Sequence, residues 1–404
     1  MEGLDKRAPF TATGGIIPPE FRNIKTPCYI LDEKALIKNA KLLGEVAERT
    51  GCKMLLAQKA FSNYDCYQFF EPYLAGTEAS GLFEARLGAE EMPEKEVHVF
   101  CAGYRADEFE ELLQYADHIV FNSPTQLLRF GPGAKEAGKS VGLRINPECS
   151  TQDGHEIYDP CAPGSRMGTT RAQWDEAFQK NPELLDLLEG IHFHTLCEQD
   201  SDDLETTLVF VKKHFGDLAS RVKWINFGGG HHITRPGYDI ERLERCIRMA
   251  KDEWKVEVYL EPGEAWALNA GFLLTRVLDV LKNGKTEIAI VDASAACHMP
   301  DVLEMPYRPP LLGADDTEED RITVRLGGPT CLSGDVIGDY KFRQLPKYGD
   351  ILMFGDMAIY TTCKNNTFNG MPLPDIWLRR ADNTMQQLTD FGYADFKERL
   401  GSRK

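Results

Sequence analysis

The chain has 404 residues, 46 basic and 63 acidic, a formal charge of −17, with 42% hydrophobic and 27% charged residues. That length and apolar content suit two domains, or one barrel with an appendage. The acidic balance argues against nucleic acid or an anionic membrane as partner, because both select a positive footprint. It is compatible with a cationic small substrate.

No run approaches the roughly 18 apolar residues of a membrane span, and MEGLDKRAPFTATGG lacks the apolar core of a secretory signal. The 11 cysteines include no C-x-x-C pair. That usage predicts reduced thiols in a cytoplasmic protein, not a disulfide frame or a zinc site.

In chain order, residues 1–24 predict an irregular arm rich in Gly, Pro and Thr, and residues 25–32 a strand that joins a later β-domain. Amphipathic helical stretches then begin near Glu33, Tyr64, Leu82, Asp107, Pro124, Thr170, Asp202 and Asp239. Each precedes a short apolar run: Met54–Ala57, Gly76–Ala79, Val97–Cys101, His118–Phe121, Val141–Ile145, Gly190–His194, Val222–Phe227 and Val256–Leu260. Alternating helices and strands predict a parallel sheet. Eight such units over about 210 residues fit a TIM-like (β/α)8 barrel across 33–270, for which about 250 residues is typical. The alternative, an open doubly wound sheet, lacks the G-x-G-x-x-G turn of a dinucleotide fold.

After Gly271 the pattern changes. LLTRVLDVL, TEIAIVDAS, RITVRLGG, DILMFGDM and DIWLRR are separated by turns, and predict an all-β domain over 271–404. The acidic stretch Ala314–Asp320 reads as a solvated loop.

Catalytic groups of a barrel sit at the C-terminal ends of its strands. Those positions hold Gln58-Lys59, Arg144, His192-Phe193-His194, Gly228-Gly229-Gly230 and Glu261-Pro262-Gly263-Glu264. A lysine after MLLAQ is expected to be partly desolvated, which favours a nucleophilic amine, though a snorkelling rim lysine fits the same position. Three glycines offer backbone N–H groups to a phosphate, or make a tight turn. Glu261 suits either a salt-bridged core carboxylate or a partner for a heteroaromatic nitrogen. Lysine, phosphate cradle and acidic partner together are the protein's share of pyridoxal phosphate chemistry. The competing reading takes His192 and His194, two residues apart on one strand, with His231 and His232 as ligands of a hydrolytic metal.

The motifs LRINP, HFHTLCEQ, FGGGHHIT, LEPGEAW, GPTCLSGD and YTTCKNNTFNG, with the lysine after the first barrel strand, resemble the alanine-racemase-like, fold-type III pyridoxal phosphate decarboxylases. The similarity runs from TPCYILDE to FNGM and is greatest to the branch that acts on carboxylated triamines, carboxynorspermidine and carboxyspermidine. It implies a homodimer whose active sites lie at the subunit interface and a cationic carboxylated polyamine as substrate. By the same resemblance Lys59 carries the cofactor, His194 stacks on its ring, Arg144 and Gly228–Gly230 hold it, and Glu261 meets its ring nitrogen. Tyr360 reaches the phosphate, and Cys331 arrives across the dimer as a catalytic thiol.

Two positions depart from the ornithine and diaminopimelate decarboxylases, which carry arginine where this chain has Glu264 and an acidic residue where it has Leu332. Glu264, Asp301 and Asp335 are therefore expected to face substrate ammonium groups, and no metal is expected. Other readings are a diamino-acid decarboxylase of the same fold, a racemase, and a non-catalytic pyridoxal phosphate carrier.

Overall fold

The computed structural model describes residues 17–152, 159–314 and 321–402. Most of the expected N-terminal arm and the acidic residues 315–320 lie outside the described residues. The chain forms two compact units, Lys38–Trp266 and Met1–Ile37 with Ala267–Lys404.

Strand β1 (Cys28–Asp32) leads into α1 (Glu33–Thr50). Eight strands then follow: β2 (Lys53–Ala57), β3 (Gly76–Ala79), β4 (Glu96–Phe100), β5 (His118–Phe121), β6 (Ser140–Arg144), β7 (Gly190–His192), β8 (Trp224–Asn226) and β9 (Glu257–Leu260). All eight pair in parallel, and β2 closes on β9 with Lys53 opposite Tyr259. Their near-continuous apolar runs are what a sheet covered on both faces requires.

The connecting helices are α2 (Leu82–Glu91), α3 (Ala106–Tyr115), α4 (Pro124–Glu136), α5 (Arg171–Lys180), α6 (Leu184–Leu187), α7 (Ser201–Ala219) and α8 (Ile240–Trp254). Their starts follow sequence logic: Ser123 accepts from the Gln126 N–H, Thr170 and Gln173 form a capping box, and Asp239 accepts from the Arg242 N–H. Between β2 and β3 the expected amphipathic helix is a 3-10 helix, Tyr64–Phe69.

The barrel interior packs Leu55, Phe100, Val120, Trp224 and Tyr259 together. Trp224 needs glycine neighbours, because a Cβ on Gly190 would lie 2.0 Å from its indole and one on Gly142 2.4 Å. At the N-terminal ends of the strands, Lys53 bridges Glu96 (2.6 Å) and Glu257 (3.3 Å). The imidazoles of His98 and His118 stack there at 4.0 Å.

In the second unit the sheet order is β13-β12-β11-β10-β1-β15-β16, with β10 (Gly271–Asn283), β11 (Thr286–Val291), β12 (Ile322–Gly327), β13 (Val336–Phe342), β14 (Ile351–Gly355), β15 (Asp375–Arg379) and β16 (Met385–Gln387). Strand β14 pairs with β10 off that path. The sheet is mostly antiparallel, but β1 runs parallel to β15 and β11 to β12. Phe21, Ile24, Cys28, Ile30, Leu274 and Met353 form its core.

Buried histidines give the fold an acid limit, His118, His231 and His298 among them. Burial pushes His118 down to about 3, and His231 and His298 down to about 4. The unfolded chain binds these protons near pH 6.5 and the folded chain does not, so stability is full above that value and falls as pH drops through the window. Each histidine should cost about 2 kcal/mol by pH 5. The raised carboxyl of Glu78 pulls the other way over the same window, so the net fall is smaller than the sum over the buried histidines. The melting temperature should drop clearly between pH 7 and pH 5. A flat profile contradicts the neutral burial of these rings.

Candidate active site

The C-terminal ends of the barrel strands gather the sequence-predicted groups of the first unit at one mouth. Lys59 follows β2 and the rigid Gln58, whose amide is fixed to the Glu84 carbonyl and the Tyr67 hydroxyl. Its side chain is 36% exposed, and its Nζ stands 3.9 Å from Oε2 of Glu78, a buried carboxylate. Glu78, at the end of β3, has no hydrogen-bond partner for that oxygen among the described residues. Burial raises its carboxyl far above the usual range, against the opposing charge of Lys59.

Glu261 follows β9 and is equally enclosed, yet it differs in kind. Its Oε2 lies 3.0 Å from Nε2 of His192 and its Oε1 accepts from Nδ2 of Asn226 at 2.6 Å. Burial alone would raise its carboxyl, but the His192 contact and the Lys59 charge outweigh that and hold it well below the ordinary carboxylate range. Glu261 is therefore a buried anion at neutral pH.

The glycine turn after β8 closes against this carboxylate. Gly228 and Gly230 have φ of +70° and +80°, and a Cβ on Gly229 would meet the Glu261 carbonyl at 2.7 Å. Only glycine gives a backbone that turns here and approaches so closely. The Gly228 N–H donates to Oδ1 of Asn226 (2.8 Å) and the Gly229 N–H to Nδ1 of His194 (3.2 Å). Accepting through Nδ1 places the proton of a neutral His194 on Nε2. Enclosure first, then the charges of Lys59 and Arg144, push that imidazole well below its ordinary pKa.

Arg144 ends β6 and is 5% exposed. Its guanidinium lies 4.5 Å from the Phe100 ring centre and donates to the His194 carbonyl at 3.1 Å. Burial lowers it to about 10, which leaves it cationic. Glu264 sits just beyond Glu261, mostly buried, with Oε2 3.8 Å from Nε2 of His232.

The metal reading finds no convergence in the imidazoles proposed for it. His192 turns to Glu261, His194 to Gly229, His231 to the Phe227 carbonyl (3.3 Å) and His232 towards Glu264. Among the described residues, the group that does converge is Glu96, His98 and His118 at the opposite end of the barrel. There Lys53 already holds the other Glu96 oxygen.

The remaining candidates belong to the second unit. Cys331 is exposed in the loop between β12 and β13, and its N–H donates to Oδ1 of Asn369 at 2.7 Å. Asn369 has a left-handed φ of +59°. Asp335 is 4% exposed; its Oδ2 accepts from the hydroxyls of Ser294 (2.9 Å) and Thr330 (2.7 Å) and its Oδ1 from the Ala296 N–H (3.3 Å), which shapes the Cys331 loop. Asp301 pairs with Lys364, which also holds Glu304. Tyr360 takes a strained φ of +58° just before a helical turn, Thr361–Lys364.

Sequence reasoning missed Glu78 and Asn226. A glutamate in a four-residue buried strand, GTEA, and an asparagine directly before the glycine turn were the available signals. The donor set fits pyridoxal phosphate on this chain's own geometry. It offers a basic amine, a buried anion fixed by two donors, a flat neutral imidazole, and a turn that excludes every Cβ.

Comparison with known proteins agrees with that chemistry. A family described as pyridoxal-dependent decarboxylase, C-terminal sheet domain, matches residues 28–358. A carboxynorspermidine/carboxyspermidine decarboxylase of Campylobacter jejuni is 40% identical over 94% of this chain and 99% of its own length. A carboxyaminopropylagmatine decarboxylase of Synechocystis is 38% identical over 95% and 97%. The crystal structure of the carboxynorspermidine decarboxylase from Campylobacter jejuni, complexed with norspermidine, superposes with a TM-score of 0.84 at 39% identity, covering 93% of this chain and 100% of that one.

Proposed function

The chain belongs to the pyridoxal-dependent decarboxylases, within the carboxynorspermidine/carboxyspermidine decarboxylase family, and from that premise we propose that it converts carboxynorspermidine or carboxyspermidine to norspermidine or spermidine and carbon dioxide. The observation that carries the reading is the barrel mouth, where a lysine and a buried, doubly held carboxylate share one site with a second carboxylate, Glu264. A carboxylated triamine presents several ammonium groups, and Glu264 suits one of them through a charge-assisted hydrogen bond.

Pyridoxal phosphate, when bound, supplies the sink for the electron pair that the departing carboxylate leaves behind. Lys59 would hold its aldehyde carbon and yield that position to the substrate amine. Glu261, anionic and fixed, would keep a proton on the ring nitrogen. His194 would cover one face of the ring. Arg144, Gly228–Gly230 and Tyr360 would hold and orient the group. The Cys331 Sγ would return a proton to the carbon that lost CO2, the S–H serving as general acid.

We assign the cysteine-bearing loop to the partner subunit of a homodimer. Asp335, held by Thr330 of its own loop and by Ser294, would then position that thiol, and Asp301 would act together with its Lys364 pair.

A second substrate fits the same site. The 38% identity to a carboxyaminopropylagmatine decarboxylase favours testing a substrate with a guanidinium in place of a terminal ammonium, which Glu264 could pair bidentately. In either case Glu264→Ala should raise KM for the carboxylated polyamine about 10-fold, the scale of one hydrogen bond to a charged group, and leave the visible spectrum of the holoenzyme intact. An unchanged KM makes Glu264 a structural carboxylate.

A further inference from the structure

We propose that His192 and Asn226 are positioning residues that clamp Glu261, one hydrogen bond to each carboxylate oxygen, so that it faces the cofactor's ring nitrogen as an anion in register with the glycine turn. The proposal rests on the reading of Glu261 as the ring-nitrogen partner and adds what makes that carboxylate competent.

The mouth of the barrel contains its own control. Glu78 and Glu261 are both buried, 1% and 2% exposed, at the ends of β3 and β9, the two strands that flank β2. A carboxylate without hydrogen-bond donors in such a place takes up a proton even with a cation at 3.9 Å, because burial penalises the charged form. Glu78, whose Oε2 lacks a donor among the described residues, follows that rule. Glu261 does not, and its distinguishing feature is the pair of donors: Nε2 of His192 at 3.0 Å and Nδ2 of Asn226 at 2.6 Å.

The two clamps have different designs. His192 is 1% exposed, and burial lowers its pKa, so it acts as a neutral ring with one N–H to give. Its Nδ1 is buried without a partner among the described residues. A histidine kept for packing alone would leave two polar atoms to satisfy. Here one is left unsatisfied, which costs stability, while the other serves Glu261. Phe100 fixes the plane of the ring by stacking at 5.5 Å and 16°.

Asn226 uses both ends of its amide. The nitrogen donates to Glu261, and the oxygen accepts the Gly228 N–H at 2.8 Å. The main chain completes the loop, because the Glu261 N–H donates to the Gly228 carbonyl at 2.9 Å. The glycine turn and the ring-nitrogen partner, 33 residues apart, are thereby locked into one rigid unit. Two ends of one cofactor are then held at a fixed separation before it binds.

The test reads the ring nitrogen directly. Holoenzymes are reconstituted with pyridoxal phosphate carrying 15N in the ring, and the nitrogen chemical shift is measured beside kcat and KM. Wild type should show a protonated ring nitrogen. His192→Leu should move the shift towards the unprotonated value and lower kcat about 10- to 100-fold with little change in KM. His192→Gln, which keeps an N–H at similar reach, should restore most of both. Asn226→Ser probes the second donor without disturbing the His192 stack, and it reads the proposal even if the leucine variant fails to fold.

A protonated shift and wild-type kcat retained in both His192→Leu and Asn226→Ser would overturn the clamp while leaving Glu261 as the partner. Equal losses in His192→Leu and His192→Gln would reduce His192 to packing and likewise overturn it. An unprotonated nitrogen in wild type would overturn the reading of Glu261 itself, and the clamp with it.

Discussion

Replacing Lys59 with alanine is expected to remove the visible absorbance of the holoenzyme and to lower turnover on the order of 10^4-fold or more, the scale on which loss of a covalent catalytic group is felt. The effect should be this large because, among the described residues, Lys59 is the lysine that directly follows a barrel strand at that mouth. Lys53, the lysine nearest in sequence, begins the same strand, at the opposite end of the barrel, and is held there by Glu96 and Glu257. Borohydride reduction of wild-type holoenzyme should leave the cofactor's mass on the peptide that contains Lys59. An intact absorbance band in Lys59→Ala, or the mass on another peptide, would move the cofactor elsewhere.

The second large effect concerns assembly. Lys59→Ala and Cys331→Ala subunits should each be inactive or nearly so alone, because one lacks the cofactor's anchor and the other the proton donor. In a random equal mixture half the dimers are mixed. If each site takes its barrel from one chain and its thiol loop from the other, every mixed dimer holds one intact site, and activity should recover to about a quarter of wild type. Recovery is measured after verified subunit exchange. Its absence places Cys331 in its own chain's site or outside the chemistry.

The barrel was legible in the sequence because its signal is periodic and repeated. All eight apolar runs became strands, β3 and β5 with the expected bounds and the others shifted by one or two residues, and α4, α5 and α8 began at or beside their capping residues. Local chemistry that departs from the period was harder to read. Tyr64–Phe69 carries an aromatic-rich amphipathic pattern, but its chain reverses within six residues and closes as a 3-10 helix. Strand β7 stops at His192, so His194 leaves the strand and the two imidazoles take different partners instead of one inward face. Strand β13, VIGDYKF, was hidden by Gly338 and Asp339 in its middle, although its pairing with β12 supports the arginine–aspartate bridge Arg325–Asp339.

The site was legible where the residue type is itself unusual. Lys59, Glu261 and the three glycines stand out at strand ends, where a barrel places its chemistry. Glu78 and Asn226 act through what they touch, and no spacing rule reports that Nδ2 of Asn226 reaches a carboxylate 35 residues away. Asp335 shows the converse. Its place in GPTCLSGD suggests substrate contact, while its hydrogen bonds to Ser294 and Thr330 commit it to the loop.

The most direct test of the account is the specificity constant for carbon dioxide release from purified holoenzyme. Carboxynorspermidine, carboxyspermidine and carboxyaminopropylagmatine are compared there with ornithine, lysine and meso-diaminopimelate. The two triamines differ by one methylene, worth about 1–3 kcal/mol in an apolar pocket, so both should be turned over with a preference of about 10- to 200-fold at most. A carboxylated polyamine should exceed every diamino acid in kcat/KM and yield the corresponding polyamine as product. A diamino acid turned over as well as or better than all three would contradict it, and would return Glu264 to a role unrelated to the substrate.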